Sequence, residues 1–112
     1  MAVRPARGND CLYSFARPDK TRPVVVLTRD SALEYLSRVT FAPISSTIRG
    51  VAAEVLLGEE DGMKAPCAVN LQNVVTVPRD SLGKRVAQPS PARMGEICAA
   101  LRFSLGCDGS WL

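Results

Sequence analysis

Two apolar runs, RPVVVLT at residues 22–28 and VTFAPISSTIRG at residues 39–50, predict the central strands of a small sheet. β-Branched residues fill most of the first run, so both faces of that strand should be covered by other parts of the chain. Each run also carries a polar group at one end: the guanidinium of Arg22 in the first, and the hydroxyl of Ser45 in the second. A strand buried in a core holds such a group in a fixed position.

Shorter predicted elements lie on both sides of these runs. Ser31 fits a capping box that would begin a helix over residues 31–37, and Ser90-Pro91 is a typical start for a helix that Gly106 would end. Further strands are expected at residues 11–15, 52–57 (with Glu54 facing outward) and 82–86. Residues 67–71 and 73–77 are expected to form two more strands or one long bent strand. The expected fold is therefore α+β, a small barrel-like sheet of five to seven short strands with a C-terminal amphipathic helix.

The length of 112 residues suits one domain with a single modest core, and we assign residues 1–112 to it. Residues 1–9 are polar, contain Pro5 and Gly8, and are expected to form a loose arm. We find no apolar run of about 18 residues and no signal segment. We therefore expect a cytoplasmic protein without membrane contact.

The composition narrows the chemistry that is available. There is no histidine, and the four cysteines form no C-x-x-C pair, so neither a histidine base nor a zinc site is expected. The acidic segment at residues 58–62 is interpreted as a solvated loop, because its spacing lacks the alternating ligands of a calcium site. We expect no metal and no other cofactor. A net charge of +3 permits a local anion site but does not indicate general coating of nucleic acid.

Arginine and hydroxyl groups suit metal-free cleavage of an RNA phosphodiester. In that reaction a ribose 2′-hydroxyl attacks the adjacent phosphorus, and negative charge accumulates on the non-bridging oxygens. The planar donors of Arg22 match two such oxygens, and Ser45, Ser46 and Thr47 offer further donors at a strand end. The residues alone leave a second interpretation open, in which Arg22 is an ordinary charge at a strand entrance and Ser-Ser-Thr an ordinary turn.

Several short motifs follow one another in a fixed order along the chain. They lie at residues 7–9, 22–27, 42–50, 54–55, 82–86 and 90–101. In this order, over residues 7 to 106, the chain resembles the MazF/PemK family of toxin endoribonucleases. The resemblance implies an SH3-like β-barrel of the MazF/CcdB type, in agreement with the strand pattern.

The resemblance also implies a function, that of a sequence-specific, metal-independent endoribonuclease toxin of a type II toxin–antitoxin system. Such a toxin cleaves single-stranded RNA, foremost mRNA, to 2′,3′-cyclic phosphate and 5′-hydroxyl ends and thereby arrests translation and growth. The family's catalytic arginine corresponds to Arg22, and its catalytic threonine corresponds to Ser45. The residues expected to bind RNA are Asp19, Lys20, Ser46, Thr47, Arg49, Gln72 and Asn73.

Partners and one alternative function follow from the same resemblance. It implies a homodimer and a cognate antitoxin whose acidic, initially disordered segment covers the RNA groove. The alternative is a non-catalytic module on the same barrel, such as a gyrase-binding toxin or an inactive homologue. Gyrase-binding relatives use the end of the C-terminal helix, near which this chain carries Trp111. The pairing of Arg22 with Ser45 favours cleavage.

Overall fold

The computed structural model describes residues 10–14, 21–83, 85–107 and 109. The expected arm at residues 1–9 lies outside this part of the chain. Asp19 and Lys20, two of the residues expected to bind RNA, also lie outside it, as does Trp111. The predictions for these residues stay predictions.

Seven strands and two α-helices make up the described chain. The strands are β1 (Asp10–Ser14), β2 (Thr21–Val26), β3 (Arg38–Ser45), β4 (Glu54–Leu57), β5 (Cys67–Asn70), β6 (Val75–Pro78) and β7 (Arg85–Ala87). The helices are α1 (Asp30–Leu33) and α2 (Pro91–Leu105), and 3₁₀ turns occupy Glu59–Asp61 and Arg79–Ser81. The predicted α+β class is confirmed, and the number of strands is at the upper end of the predicted range.

β3 is the central strand of the sheet and pairs with three other strands. The strand order is β4-β5-β3-β2-β1-β7, with β6 also paired to β3. One edge of β3 pairs with β2 through residues 41–43, whereas the other edge pairs with β6 through residues 38–41 and then with β5 through residues 44–45. Because one strand serves both halves of the sheet, the halves curl towards each other in the predicted barrel-like form.

β2 is buried on both faces, as its β-branched residues predicted. Val24 and Val26 pack in one apolar cluster, whereas Val25 and Leu27 pack in the other. The alternation follows from the strand period of two residues. Burial of each such side chain contributes about 1.5–3 kcal/mol to folding. The strand is therefore held firmly, and so is the backbone of Arg22 two residues before Val24.

α2 covers one of these clusters and is capped at both ends as predicted. The Ser90 hydroxyl accepts a hydrogen bond from the Arg93 amide at 3.2 Å, and Gly106 ends the helix with φ at 71°. Ile97 and Ala100 on the inner face of α2 are buried in the cluster. No helix in the described residues combines the length and the apolar character needed to cross a bilayer.

α1 is shorter than predicted and begins differently. It is a single turn, Asp30–Leu33, where the sequence predicted a helix over residues 31–37. The capping box based on Ser31 is wrong, since no side chain caps the start of this helix. Leu33 is buried, but Leu36 is 48% exposed. A second turn would bury little further apolar surface, and short helices depend on such packing.

The acidic segment at residues 58–62 is solvated as predicted at Glu59 and Glu60, but the prediction is wrong for Asp61. It contains the 3₁₀ turn Glu59–Asp61, in which only 5% of the Asp61 side chain is exposed. The Asp61 carboxylate accepts hydrogen bonds from the Gly58 amide at 2.9 Å and from Nε of Arg93 at 3.0 Å. Burial acts to raise the pKa of Asp61, but these hydrogen bonds and the Arg93 charge together hold it below the ordinary value. The turn is thus tied to α2 by a partner distant in sequence.

Asp61→Asn is expected to lower Tm by roughly 5 °C at pH 7, because it removes the charge that Arg93 binds. Folding lowers the pKa of Asp61, so its stabilisation is present above the ordinary value of 3.8 and is lost as the pH falls through the lower folded value. Chemical denaturation should show a constant difference in unfolding free energy from about pH 7 to about pH 5, and a shrinking one below about pH 4.

The matched control for this change is Glu59→Gln on the same turn. The Glu59 side chain is exposed and makes no hydrogen bond or ion pair with the residues that the structure describes. This variant should unfold like the wild type at every pH. A destabilisation of Asp61→Asn that stays unchanged down to about pH 2.5 would contradict the ion-pair explanation.

Candidate active site

The antiparallel register of β2 and β3 brings Arg22 and Ser45 to the same place. The paired segment ends at Val24 and Pro43, and Arg22 and Ser45 each lie two residues beyond it on their own strands. Both residues line the same two clefts. Both residues are half-buried. The guanidinium and the hydroxyl that the sequence placed at two strand ends therefore adjoin.

Arg22 and Ser45 form part of the wall of two neighbouring clefts. The larger cleft has a volume of about 590 Å³ and is lined mainly by apolar side chains and by residues 62–67, with Ser46 and Lys64 as its other polar side chains. The smaller cleft, of about 260 Å³, is polar. Its further polar lining residues are Thr47, Arg49, Glu54, Asn70 and Asn73. The pair thus stands at the boundary between an apolar-walled cleft and a polar one.

The Ser45 hydroxyl is oriented by the backbone that follows it. Ser45 Oγ accepts a hydrogen bond from the Thr47 amide at 3.0 Å, and a bond of this kind bends the chain at the end of a strand. A serine hydroxyl has one proton to donate and two lone pairs to accept with. One lone pair is used here, and the geometry leaves the proton for a ligand in either cleft.

Glu54 binds the loop that connects β3 to β4. Its Oε1 accepts hydrogen bonds from the amides of Arg49 at 3.0 Å and Gly50 at 2.9 Å, and it lies 3.5 Å from the Val51 amide. The sequence predicted only an outward-facing strand residue here. The carboxylate instead folds back over the preceding loop, a contact that strand alternation does not predict.

Four of the residues expected to bind RNA lie at the clefts. Ser46 lines the larger cleft, and Thr47, Arg49 and Asn73 line the smaller one. Gln72 is exposed on the turn between β5 and β6, and within the described chain it lines neither cleft. The backbone amide of Gln72 donates a hydrogen bond to Oδ1 of Asn70 at 2.9 Å. Asn70 lines the smaller cleft, so this bond holds the turn beside it.

Among the charged and amide side chains that line the clefts, three were not predicted as site residues from the sequence, namely Glu54, Lys64 and Asn70. Lys64 follows an acidic turn and Asn70 ends a strand, and neither position forms part of a recognisable motif. Glu54 carried a weak signal, because it begins the short motif at residues 54–55. All three reach the site through the folding of the chain.

Cationic groups dominate both clefts. Arg22 lines both of them, Lys64 lines the larger one and Arg49 the smaller one. Glu54 is the single carboxylate among the described lining residues, and backbone amides offset part of its charge. A ligand that carries negative charges and also presents apolar faces would match this surface, and single-stranded nucleic acid has both properties.

Comparison with known proteins identifies the family. The sequence profile described as "PemK-like, MazF-like toxin of type II toxin-antitoxin system" matches residues 3–105. The chain belongs to this family. The resemblance drawn from the short motifs is thereby confirmed, and with it the MazF type of fold.

Relatives of the MazF type match this chain over most of its length. "Probable endoribonuclease MazF5" of Mycobacterium tuberculosis is 40% identical over 109 residues, which cover 96% of this chain and 99% of the relative. "Probable endoribonuclease MazF2" of the same species is 38% identical over 97 residues, with 86% and 95% covered. These relatives therefore extend across both clefts.

Solved MazF structures have the same architecture. "Mycobacterium tuberculosis toxin MazF-mt6" superposes with a TM-score of 0.77 at 29% identity and covers 87% of this chain and 96% of that one. A structure titled "Endoribonuclease in complex with its cognate antitoxin from Mycobacterial species" has a TM-score of 0.78 at 25% identity, with 91% and 95% covered.

Proposed function

We propose that this MazF-type endoribonuclease cleaves single-stranded RNA, foremost mRNA, in a sequence-specific reaction that needs no metal ion, and so arrests translation and growth. The observation that carries the proposal is the common position of Arg22 and Ser45 at the boundary of two cationic clefts. Relatives that match most of the chain are named endoribonucleases, which supports the same class of reaction here.

Arg22 would stabilise the charge that develops on the phosphate. The ribose O2′ loses its proton and forms a bond to phosphorus, while the bond from phosphorus to O5′ of the next nucleotide breaks and O5′ takes up a proton. The products are a 2′,3′-cyclic phosphate and a 5′-hydroxyl. Negative charge grows on the two non-bridging oxygens, and a planar guanidinium can meet both with parallel N–H donors. A preorganised donor of this kind lowers the barrier by about 3–4 kcal/mol.

Ser45 would orient the scissile phosphate. Its hydroxyl accepts from the Thr47 amide and can donate its proton to a non-bridging oxygen between the two clefts. This role needs the hydroxyl but not the serine itself. Threonine, the usual residue of the family at this position, would supply the same donor with a more restricted rotamer.

The two clefts suit different parts of the substrate. The apolar wall of the larger cleft can receive the face of an unstacked base, and Lys64 lies within it. The polar side chains of the smaller cleft can bind ribose, phosphate and base edges. A continuous duplex keeps its bases stacked and hidden from such clefts, which is why the proposed substrate is single-stranded.

Partners and location are also part of the proposal. A cognate antitoxin with an acidic, initially disordered segment would cover the cationic clefts, where its carboxylates would meet Arg22, Arg49 and Lys64. A similar structure is titled as an endoribonuclease with its cognate antitoxin. We further propose that the toxin is a homodimer and acts in the cytoplasm.

The direct test is incubation of the purified toxin with synthetic single-stranded RNA in the presence of a chelator. We expect cuts at one short sequence, 2′,3′-cyclic phosphate ends, and 5′-hydroxyl ends that a polynucleotide kinase labels without prior dephosphorylation. The same sequence annealed to its complement is the control and should stay intact. Cleavage only with added Mg²⁺ would contradict the metal-free mechanism, and intact RNA together with gyrase inhibition would favour the non-catalytic alternative.

A further inference from the structure

Three successive backbone amides converge on a single carboxylate oxygen beside the smaller cleft. The amides are those of Arg49, Gly50 and Val51, and they lie 3.0, 2.9 and 3.5 Å from Oε1 of Glu54. Gly50 makes this possible with φ at 71°, a left-handed conformation that turns neighbouring N–H groups towards one point. Such a concave group of amides binds an anion, and the protein's own side chain occupies it here.

Side chains therefore hold the loop after β3 at both of its ends. At the first end, the Ser45 hydroxyl accepts from the Thr47 amide. At the second end, Glu54 binds Arg49 and the residue after it. All of these groups are local in sequence, and the loop is exposed apart from them.

Glu54 binds the backbone of Arg49 and not its guanidinium. Its backbone amide is bound to Glu54, yet its side chain makes no ion pair with any carboxylate in the described ranges 10–14, 21–83, 85–107 and 109. The same residue lines the smaller cleft together with Arg22. Glu54 thus binds the backbone of an arginine and leaves its charged head available to a ligand.

We propose that Glu54 is a positioning residue for substrate, which sets Arg49 at the smaller cleft by binding the loop backbone. The inference rests on the proposed ribonuclease function. In it, Glu54 acts through Arg49 and touches no reacting atom. Arg49 would contact the RNA phosphate both before and during the reaction. Loss of Glu54 should therefore weaken substrate binding more than it slows the chemical step.

Steady-state kinetics on one short RNA substrate tests this role. Glu54→Ala should raise KM about tenfold and change kcat less than about threefold. Glu54→Gln should stay within about threefold of the wild type in KM, because the carboxamide oxygen still accepts from the amides. Glu34→Gln, a change at an exposed glutamate beyond the end of α1, is the matched control and should leave both constants unchanged.

A double-mutant cycle separates positioning from general stabilisation. If Glu54 acts through Arg49, the KM of the double variant Glu54→Ala, Arg49→Ala should lie within about threefold of that of Arg49→Ala alone. If the two effects multiply to about a hundredfold, the proposal is overturned. It is also overturned if Glu54→Ala leaves KM unchanged or lowers it, the latter being the result expected from removal of a repulsive charge alone.

Amide hydrogen exchange tests the contact between Glu54 and the loop independently of ribonuclease activity. The amides of Arg49 and Gly50 should exchange about tenfold faster in Glu54→Ala than in the wild type, with Glu54→Gln close to the wild type. Equal exchange in all three proteins would disprove the positioning contact whatever the enzyme does. Slow exchange in a wild type that leaves every RNA intact would instead disprove the proposed function and leave the contact established.

Discussion

Arg22→Ala is expected to lower kcat for RNA cleavage about a thousandfold, because it removes a guanidinium that lines both clefts. Arg22→Lys should recover only a small part of the loss. It restores the charge, but a lysine ammonium lacks the planar pair of donors that matches two phosphate oxygens. Rates measured with a fluorogenic single-stranded RNA, at saturating concentration, give both numbers.

A matched control is available at the opposite end of β3. Arg38 is an exposed arginine on the central sheet and makes no ion pair with the residues described. Arg38→Ala should retain the wild-type rate, and circular dichroism should show that all variants are folded. If folded Arg22→Ala kept more than about a tenth of the wild-type rate, another group would have to carry the charge of the transition state.

Ser45→Ala is expected to lower kcat by about a hundredfold, since it removes a donor held beside Arg22. Ser45→Thr should keep at least the wild-type rate, because the hydroxyl is retained and the added methyl group restricts its rotamer. The comparison of these two variants separates the hydroxyl from the rest of the side chain. In growth assays, expression of Ser45→Ala should be tolerated and expression of Ser45→Thr should not.

Ser37→Ala provides the control for Ser45→Ala. Ser37 is exposed just before β3 and contributes a backbone carbonyl, but no side-chain hydrogen bond, to the described structure. The Ser37→Ala variant should have the cleavage rate and the free energy of unfolding of the wild type. Equal rates for Ser45→Ala and the wild type would remove Ser45 from the mechanism and leave Arg22 without its proposed partner.

The secondary-structure elements that were predicted correctly are those specified by residues close together in the sequence. β2 and β3 were predicted from their apolar runs, and their valines and Phe41 are buried. α2 has its predicted caps, Ser90 before the helix and Gly106 after it, because both caps lie within one turn of the helix itself. Such signals require no knowledge of distant partners.

The wrong predictions concern residues whose environment is supplied from elsewhere. Ser31 has the spacing of a capping box, but packing supports only one turn of α1. Asp61 looks like one acid among several, and its burial depends on Arg93, 32 residues away. A local sequence pattern does not predict how deeply a residue is buried or which distant residue pairs with its charge.

The amino-acid sequence by itself determined the fold class, the two central strands and the presence of a guanidinium and a hydroxyl at their ends, because these depend on residue period and on neighbours in the chain. Only the tertiary structure decided that Arg22 and Ser45 line the same two clefts, and that Lys64 lines one of them. Strand register and loop path set these distances, and both result from the packing of the whole sheet.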